Sequence, residues 1–298
     1  MILLTGATGK TGSAAANALI AQGVPPRALV RNEQKAAFLK EAGVELVIGD
    51  IGDARSLDRA LAGVERAVLI FPNSDRQLGQ EKTFVDRAEK AGVRHIVKLS
   101  SMEAVPDAAG PVPRIHVESE SYIEASGLAW TFVKPNFFLQ NLLGSAATIR
   151  AQHKLFLPMA EGRTGMSDVR DVGAVIAEAV KGQGHEGRSD EITGPELLSF
   201  GDVAERFSRV LGTPIGYVDV PLDSHMRTIR PYLLNDWHVK AVADLFGEIA
   251  AGGLDHLTTD AEEVLNRKPI SLARFIEDHR AAVAPARPAG ARARRARY

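Results

Sequence analysis

The chain has 298 residues, 45% hydrophobic and 24% charged, with 36 basic against 37 acidic side chains; this suits one large domain or two intimate ones and excludes a disordered or fibrous protein. It contains no cysteine, which excludes disulfides, thiolate metal sites and cysteine nucleophiles. The opening MILLTGATG has no basic stretch before a long apolar run, and no segment reaches the roughly 18 apolar residues of a membrane span, so a cytoplasmic protein is expected.

In chain order, short apolar runs at 2–5, 27–31, 44–48, 66–71, 94–99 and 129–134 predict strands. Amphipathic stretches at 10–22, 33–42, 54–61, 77–91 and 115–126 predict the helices between them. Gly23, Gly43, Gly63, Gly92 and Gly127 each follow a helix, where the left-handed conformation ends it. The repeated helix, glycine, strand order implies an α/β fold, a Rossmann-type doubly wound parallel sheet. Beyond 150 the rhythm changes: strands near 153–157 and 190–193, and helices at 169–181, 199–211, 222–229, 233–250, 259–265 and 270–283. The expected division is a nucleotide-binding domain over 1–152 that also takes the 169–181 helix, and a smaller, mostly helical substrate and lid domain over 153–284. Residues 285–298, with Arg287, Arg292, Arg294, Arg295 and Arg297 among Ala, Pro and Gly, read as a disordered basic tail. It carries no aromatic residue before the terminal tyrosine to stack on bases and is given no function.

The first strand runs into Gly6, Ala7, Thr8, Gly9, Lys10, Thr11 and Gly12, after which Ser13 and three alanines open a helix. Each glycine has a physical role: a tight exit from the strand, close approach to a pyrophosphate, and close packing of helix on strand. Free N–H groups at the helix start hold the anion, and Lys10 either adds to that binding or points to water. Nineteen residues after Gly12, the second strand ends in Arg31, where an NAD enzyme carries an acid for the ribose 2′-hydroxyl. A guanidinium there pairs instead with a 2′-phosphate, which favours NADP(H) over NAD(H). Asp50 and Ile51, after the third strand, are expected to border the adenine, with local capping by Asp50 an equal alternative. Phe71, Pro72 and Asn73, after the fourth, are expected beside the nicotinamide ribose.

These residues resemble the atypical short-chain dehydrogenases of the NmrA-like group, and within it the quinone and triphenylmethane-dye reductases. The resemblance runs to about residue 283 and rests on LLTGATGKTG at 3–12, ALVRN at 28–32, GDIGDARSL at 49–57, KPNFFLQNLL at 134–143, GHEG at 184–187 and VLNRKP at 264–269. It implies NADPH-dependent reduction of a conjugated or aromatic acceptor, and it admits a second reading, a redox sensor that binds NADP(H) and catalyses nothing. It places Ser100, Pro135, Asn136 and Phe137 beside the cofactor. Where typical members of the superfamily carry a Tyr-x-x-x-Lys pair, this chain has Val112 and His116. The proton relay for ketone chemistry is therefore absent by expectation, and acceptors that delocalise the arriving charge fit better.

His116 is the nominated catalytic group, able to donate a proton near neutrality, with Glu120 one turn on to orient it; a structural or exposed histidine is the alternative. Asn73, Met102, Phe138 and Trp237 are the expected substrate-pocket residues, each weighed against plain core packing. His225, His238, His256 and His279 lack metal-ligand spacing, Ser100 and Ser101 lack a hydrolase context, and Asp168, Arg170 and Asp171 read as a helix start. The expected partner is a small aromatic or quinone substrate, with no metal, membrane or nucleic acid, and with a homodimer left open as the assembly.

Overall fold

Alternating apolar side chains on short strands build a seven-stranded parallel sheet, beside two two-stranded ones, in the computed structural model, which describes residues 1–108 and 110–285. The basic tail expected at 285–298 lies, from residue 286 on, outside the described residues. Strands β1 (Ile2–Leu4), β2 (Arg27–Val30), β3 (Glu45–Ile48), β4 (Arg66–Leu69), β5 (His95–Leu99) and β6 (Ala129–Pro135) alternate with helices. These are α1 (Lys10–Ala21), a 3-10 turn Gln34–Ala36 running into α2 (Ala37–Glu41), α3 (Ala54–Leu61), α4 (Gln77–Lys90) and α5 (Pro111–Ala125). All five glycines expected after helices have positive φ, between 71 and 81°. The helix predicted from 115 starts four residues earlier: Pro111 sits in its first turn, where a missing N–H costs nothing.

The second half comprises a 3-10 segment Leu139–Ser145, α6 (Ala146–Gln152), β7 (Lys154–Leu157), β8 (Arg163–Thr164), α7 (Val169–Lys181), β9 (Arg188–Ile192), β10 (Leu198–Ser199) and α8 (Phe200–Leu211). It ends with β11 (Gly216–Asp219), α9 (Leu222–Ile229), α10 (Asp236–Ala250), α11 (Asp260–Leu265), α12 (Leu272–Asp278) and α13 (Arg280–Val283).

The sheet order is β3-β2-β1-β4-β5-β6-β9, with every neighbouring pair parallel. The two-stranded sheets pair β8 with β10 and β7 with β11. Strand alternation assigns Leu4, Val30, Val68, Val97 and Val133 to the face covered by α1 and α7. Leu3, Leu29, Leu69, Ile96 and Phe132 go to the face under α3, α4 and α5. A division at residue 152 does not follow the sheet. β9, expected in the smaller domain, returns from the crossover helix α7 to lie parallel beside β6 as the seventh strand. α11 also belongs with this part, since Ala261 packs into the core formed with α7. The remaining helices enclose a separate apolar cluster that includes Phe137, Leu142, Phe200, Phe207, Phe246 and Phe275.

Helix α1 is held unusually close to α7. A Cβ on Gly173 would stand 2.6 Å from the backbone nitrogen of Ala15, so only glycine lets the two helices touch. At the carboxyl ends of the strands, Thr5 ties β1 to β4: its hydroxyl donates toward the carbonyls of Val68 and Ile70 and accepts from the Ile70 N–H at 2.9 Å.

The amino edge of the sheet is closed by buried polar groups. Thr131 Oγ1 donates to the His185 carbonyl at 2.6 Å, so it accepts from His95 Nε2, 2.9 Å away. His95 Nδ1 is then left to face the Arg66 guanidinium at 3.4 Å. Burial, followed by the Arg66 charge, pushes the His95 pKa down to about 4. His95 is therefore neutral when folded, while in the unfolded chain it takes up a proton near its ordinary pKa of about 6.5. As the pH falls from there toward 4, the unfolded state binds more protons, and the stability present at higher pH is lost. Urea unfolding at pH 7 and pH 5 should show that loss, and H95Q should lose less between the two values. Equal losses would mean that His95 does not carry the effect.

Candidate functional site

The sheet order reverses between β1 and β4, and a crevice opens there at the carboxyl ends of the strands, where ligands of open α/β sheets bind. A cleft of about 760 Å³ occupies this position. Its first wall is the glycine turn: Gly6, Thr8, Gly9, Lys10, Thr11 and Gly12 all line it. Gly6 has φ +65°, and its carbonyl accepts from the Gly9 N–H at 2.9 Å, which folds the turn back on itself. A Cβ on Gly12 would lie 2.6 Å from the Gly6 carbonyl carbon, so the helix meets the strand backbone with no side chain between them. Gly9 caps α1 without a side-chain hydrogen bond, and the N–H groups of Lys10, Thr11 and Gly12 have no acceptor among the described residues. Such a glycine cradle with free donors at a helix start fits the pyrophosphate of a dinucleotide. Arg31 follows β2 on the same cleft, exposed and without an ion pair among the described residues.

The opposite end is apolar and aromatic. Phe71 and Pro72 follow β4, Pro135 ends β6 with Phe137 and Phe138 just beyond it, and Leu245 and Leu254 come from the second half of the chain. Asn73 also lines the cleft, and with Glu103, Val112 and His238 it is shared with an adjoining cavity of about 630 Å³ between the 103–113 segment and α10. Burial, opposed by a hydrogen bond from Ser101, raises the pKa of the Glu103 carboxyl, and the charge of Glu248 adds to the rise.

The KPNFFLQNLL stretch owes its form mainly to anchoring. Asn136 lines the cleft, but its side chain is consumed internally: Oδ1 accepts from the Phe137 N–H at 2.7 Å and from Thr164, and Nδ2 donates to the Leu254 carbonyl at 3.3 Å. Gln140 donates to Asp168 at 2.9 Å and accepts from the Val169 N–H. Asp168 caps α7, in keeping with its reading as a helix start. The VLNRKP stretch is a tether as well: Arg267 pairs with the buried Asp171 at 2.7 Å. GHEG is the turn entering β9, at the amino edge of the sheet and away from the cleft.

Four expected site residues stand elsewhere. The Asp50 carboxylate accepts from the Gly52 N–H at 2.7 Å in a local turn, and neither it nor Ile51 lines the cleft, because β3 is the outermost strand. Met102 is buried in the second apolar cluster. Trp237 is half-exposed on α10, whose period turns His238, Ala241 and Leu245 toward the cavities instead.

His116 lines the cleft from α5, one turn beyond Val112, but its surroundings differ from expectation. Glu120 does not orient it; that carboxylate accepts from the Ser100 hydroxyl and pairs with Lys134 at 2.8 Å. His116 Nδ1 instead lies 2.9 Å from Nζ of Lys98. Burial, then the charges of Lys98 and Lys134, hold the His116 pKa well below its ordinary value. The shift favours the neutral imidazole, against the expectation of a protonated His116 acting near neutrality. Lys98 escaped sequence reading, although one signal was present: it shares a strand face with Ile96, where an apolar residue belongs.

No group of three or more His, Cys, Asp or Glu side chains able to hold a metal occurs among the described residues, and no helix there is long and apolar enough to cross a membrane.

A seven-stranded parallel sheet with an anion cradle at its switch point defines a Rossmann-type dinucleotide-binding protein. Residues 1–276 match the model of the NmrA-like family, and the chain belongs to that family. It is 33% identical over 282 residues to an NAD(P)H azoreductase of Xenophilus azovorans, covering 95% of this chain and 99% of that protein. It is 28% identical over 259 residues to quinone oxidoreductase 2 of Escherichia coli strain K12, covering 85% and 90% of the two chains. The crystal structure of the NADPH-dependent quinone oxidoreductase from E. coli, complexed with NADPH, superimposes with a TM-score of 0.85 at 24% identity, covering 93% of this chain and 99% of that one. Both parts of the chain thus share that fold.

Replacing Gly12 with alanine should disrupt the cradle, since the added methyl group must displace the Gly6 turn. Titration calorimetry should then detect nucleotide binding at least roughly 10-fold weaker, in line with the 1–3 kcal/mol cost of overpacking. Unchanged affinity would remove this turn from the nucleotide site.

Proposed function

We propose that this NAD(P)H-dependent oxidoreductase uses NADPH to reduce a quinone or another conjugated aromatic acceptor, without a tyrosine and lysine proton relay. The observation that carries the reading is the polarity of the cleft: a phosphate cradle and a guanidinium at one end, and a wall of Phe71, Pro72, Phe137, Phe138 and Leu245 at the other. When bound, the dihydronicotinamide supplies the hydride.

The chain's own residues then have three tasks. The free N–H groups of α1 hold the pyrophosphate, and Arg31 pairs with the 2′-phosphate through charge-assisted hydrogen bonds. The aromatic wall stacks a flat acceptor at about 3–3.5 Å from the hydride donor and excludes water. By the family resemblance, Val112 and His116, which both line the cleft, take the positions of a Tyr-x-x-x-Lys pair, so the tyrosine acid that a ketone's alkoxide requires is missing from α5 on this reading. A quinone or dye spreads the arriving charge over its π-system and needs only a hydrogen-bond donor. Ser100 does not serve as that donor, because its hydroxyl hydrogen is committed to Glu120. The related azoreductase and quinone oxidoreductase, by name, act on conjugated acceptors, in agreement with this reading.

Stopped-flow oxidation of NADPH should be stimulated by naphthoquinones, azo dyes or triphenylmethane dyes and not by simple ketones. Tight nucleotide binding with no acceptor-dependent oxidation would overturn the reading. R31E should reduce the preference for NADPH over NADH by roughly 10- to 100-fold in the ratio of KM values, the worth of a charged hydrogen bond. An unchanged ratio would remove Arg31 from cofactor choice.

A further inference from the structure

Lys98 is fully buried, at a position on β5 that faces α4 and α5. An ammonium in such a place is costly unless a counter-charge and hydrogen bonds compensate it. Both are present. Its three hydrogens meet three acceptors: the Glu81 carboxylate at 3.3 Å, the Leu99 carbonyl at 3.2 Å and His116 Nδ1 at 2.9 Å. Glu81 is itself 1% exposed, held by Gln77 Nε2 at 3.0 Å. A group with three donors and three matched acceptors, one of them a carboxylate, is charged, and a charged Lys98 can only donate to His116.

That assignment decides the chemistry of the imidazole. Nδ1 must be the unprotonated nitrogen, so the ring proton is on Nε2. Nε2 has no hydrogen-bond partner among the described residues and is not among the buried polar atoms left unsatisfied, so it opens onto the cleft that His116 lines.

We propose that Lys98, neutralised by Glu81, is a positioning residue that locks His116 as the Nε2–H tautomer and replaces the proton this group passes to the reduced acceptor. The proposal rests on the reductase reading above. As the acceptor gains its hydride, the Nε2–H bond breaks and an O–H or N–H bond forms on the acceptor. The Lys98 Nζ–H bond breaks in turn and an Nδ1–H bond forms. The imidazole ends the step as the other tautomer with Lys98 a neutral amine; a solvent proton entering through the cleft then adds to Nε2 while the Nδ1 proton returns to Lys98, which restores both groups. No oxidant or reductant beyond the acceptor and NADPH is required. A neutral imidazole can thus act as a donor at a pH where a free histidine would have lost its extra proton.

Removing Lys98 alone would leave Glu81 buried without a counter-charge, so the test uses the double variant K98M/E81Q, with native folding checked by circular dichroism and thermal melting. Nitrogen-15 spectra of the wild-type protein should show His116 Nδ1 unprotonated and Nε2 protonated. The double variant should shift the ring to a mixture of tautomers. With a naphthoquinone, kcat should fall roughly 10-fold or more, the scale of a lost proton donor, while KM for NADPH stays within about two-fold. In an H116A background, adding K98M/E81Q should change kcat by less than about two-fold, whereas a merely structural pair would lower it again.

A wild-type ring protonated on Nδ1, a tautomer unchanged in the double variant, or losses that multiply in the H116A background would each overturn the proposal. If no acceptor stimulates NADPH oxidation in the wild-type protein, the reductase reading falls, and the relay falls with it. The nitrogen spectra would still decide whether Lys98 fixes the tautomer.

Discussion

The structure depends on one contact, the approach of α1 to the turn that leaves β1. At Gly12 the helix meets the Gly6 backbone with no room for a methyl group, and at Gly173 the neighbouring helix α7 does the same to Ala14 and Ala15. These two close approaches fix the axis of α1 relative to the sheet from two directions. The free donors of its first turn are thereby aimed at the switch point and not at solvent. Thr5 completes the arrangement by tying the ends of β1 and β4 together where the cleft begins. Packing density and ligand geometry are one constraint here: the glycines that give the sheet its close cover also shape the anion cradle.

The second constraint is electrostatic and acts on the opposite face. A parallel sheet covered on both sides normally excludes charge from its strands, and β5 departs from that rule at Lys98. The ion pair with Glu81 adds little to stability when weighed against an apolar pair of the same size. Its consequence is local: the ammonium sets the direction of the hydrogen bond to His116. A similar logic operates between Ser100, Glu120 and Lys134, where a carboxylate between a serine and a lysine fixes the direction of the serine hydroxyl. Polar groups at the apolar end of the cleft are thus oriented from behind, by buried partners that do not line it.

Much of this was legible in the sequence, and the reasons differ by element. The strands, the helices and the glycine turn were readable because period and punctuation are local properties. Gly23 and Gly63 mark helix ends whatever the tertiary context. The place of β9 was not readable, because joining the sheet beside β6 depends on where α7 lies. α5 begins at Pro111 because proline suits a first turn as well as it suits a loop, and composition alone does not separate the two. At the site, residues in the loops after the inner strands fell on the cleft, as Arg31, Phe71 and Phe138 show, because the switch-point rule follows from topology, whereas Asp50 and Ile51 after the edge strand β3 did not. Residues placed by helix phase were harder. Trp237 and His238 are adjacent in sequence but point about 100° apart, and only the observed start of α10 says which one faces the cavity. Glu120 was assigned to His116 by spacing along one helix, whereas the partner that counts comes from the neighbouring strand.

His116 and Lys98 together show why a neutral donor suits this cleft. A charged imidazolium facing an apolar, aromatic wall would need its own counter-ion, and a carboxylate close enough to serve would repel the negative charge arriving with the hydride. Placing the positive charge one residue deeper removes that conflict. Lys98 and Glu81 compensate each other inside the protein, and the cleft receives only an N–H dipole from His116. On the proposed reading, the acceptor then meets a surface that is apolar before it gains charge and hydrogen-bonding once it has done so. An interaction of that kind is stronger in the transition state than in the ground state, which is the condition for raising the rate of the chemical step.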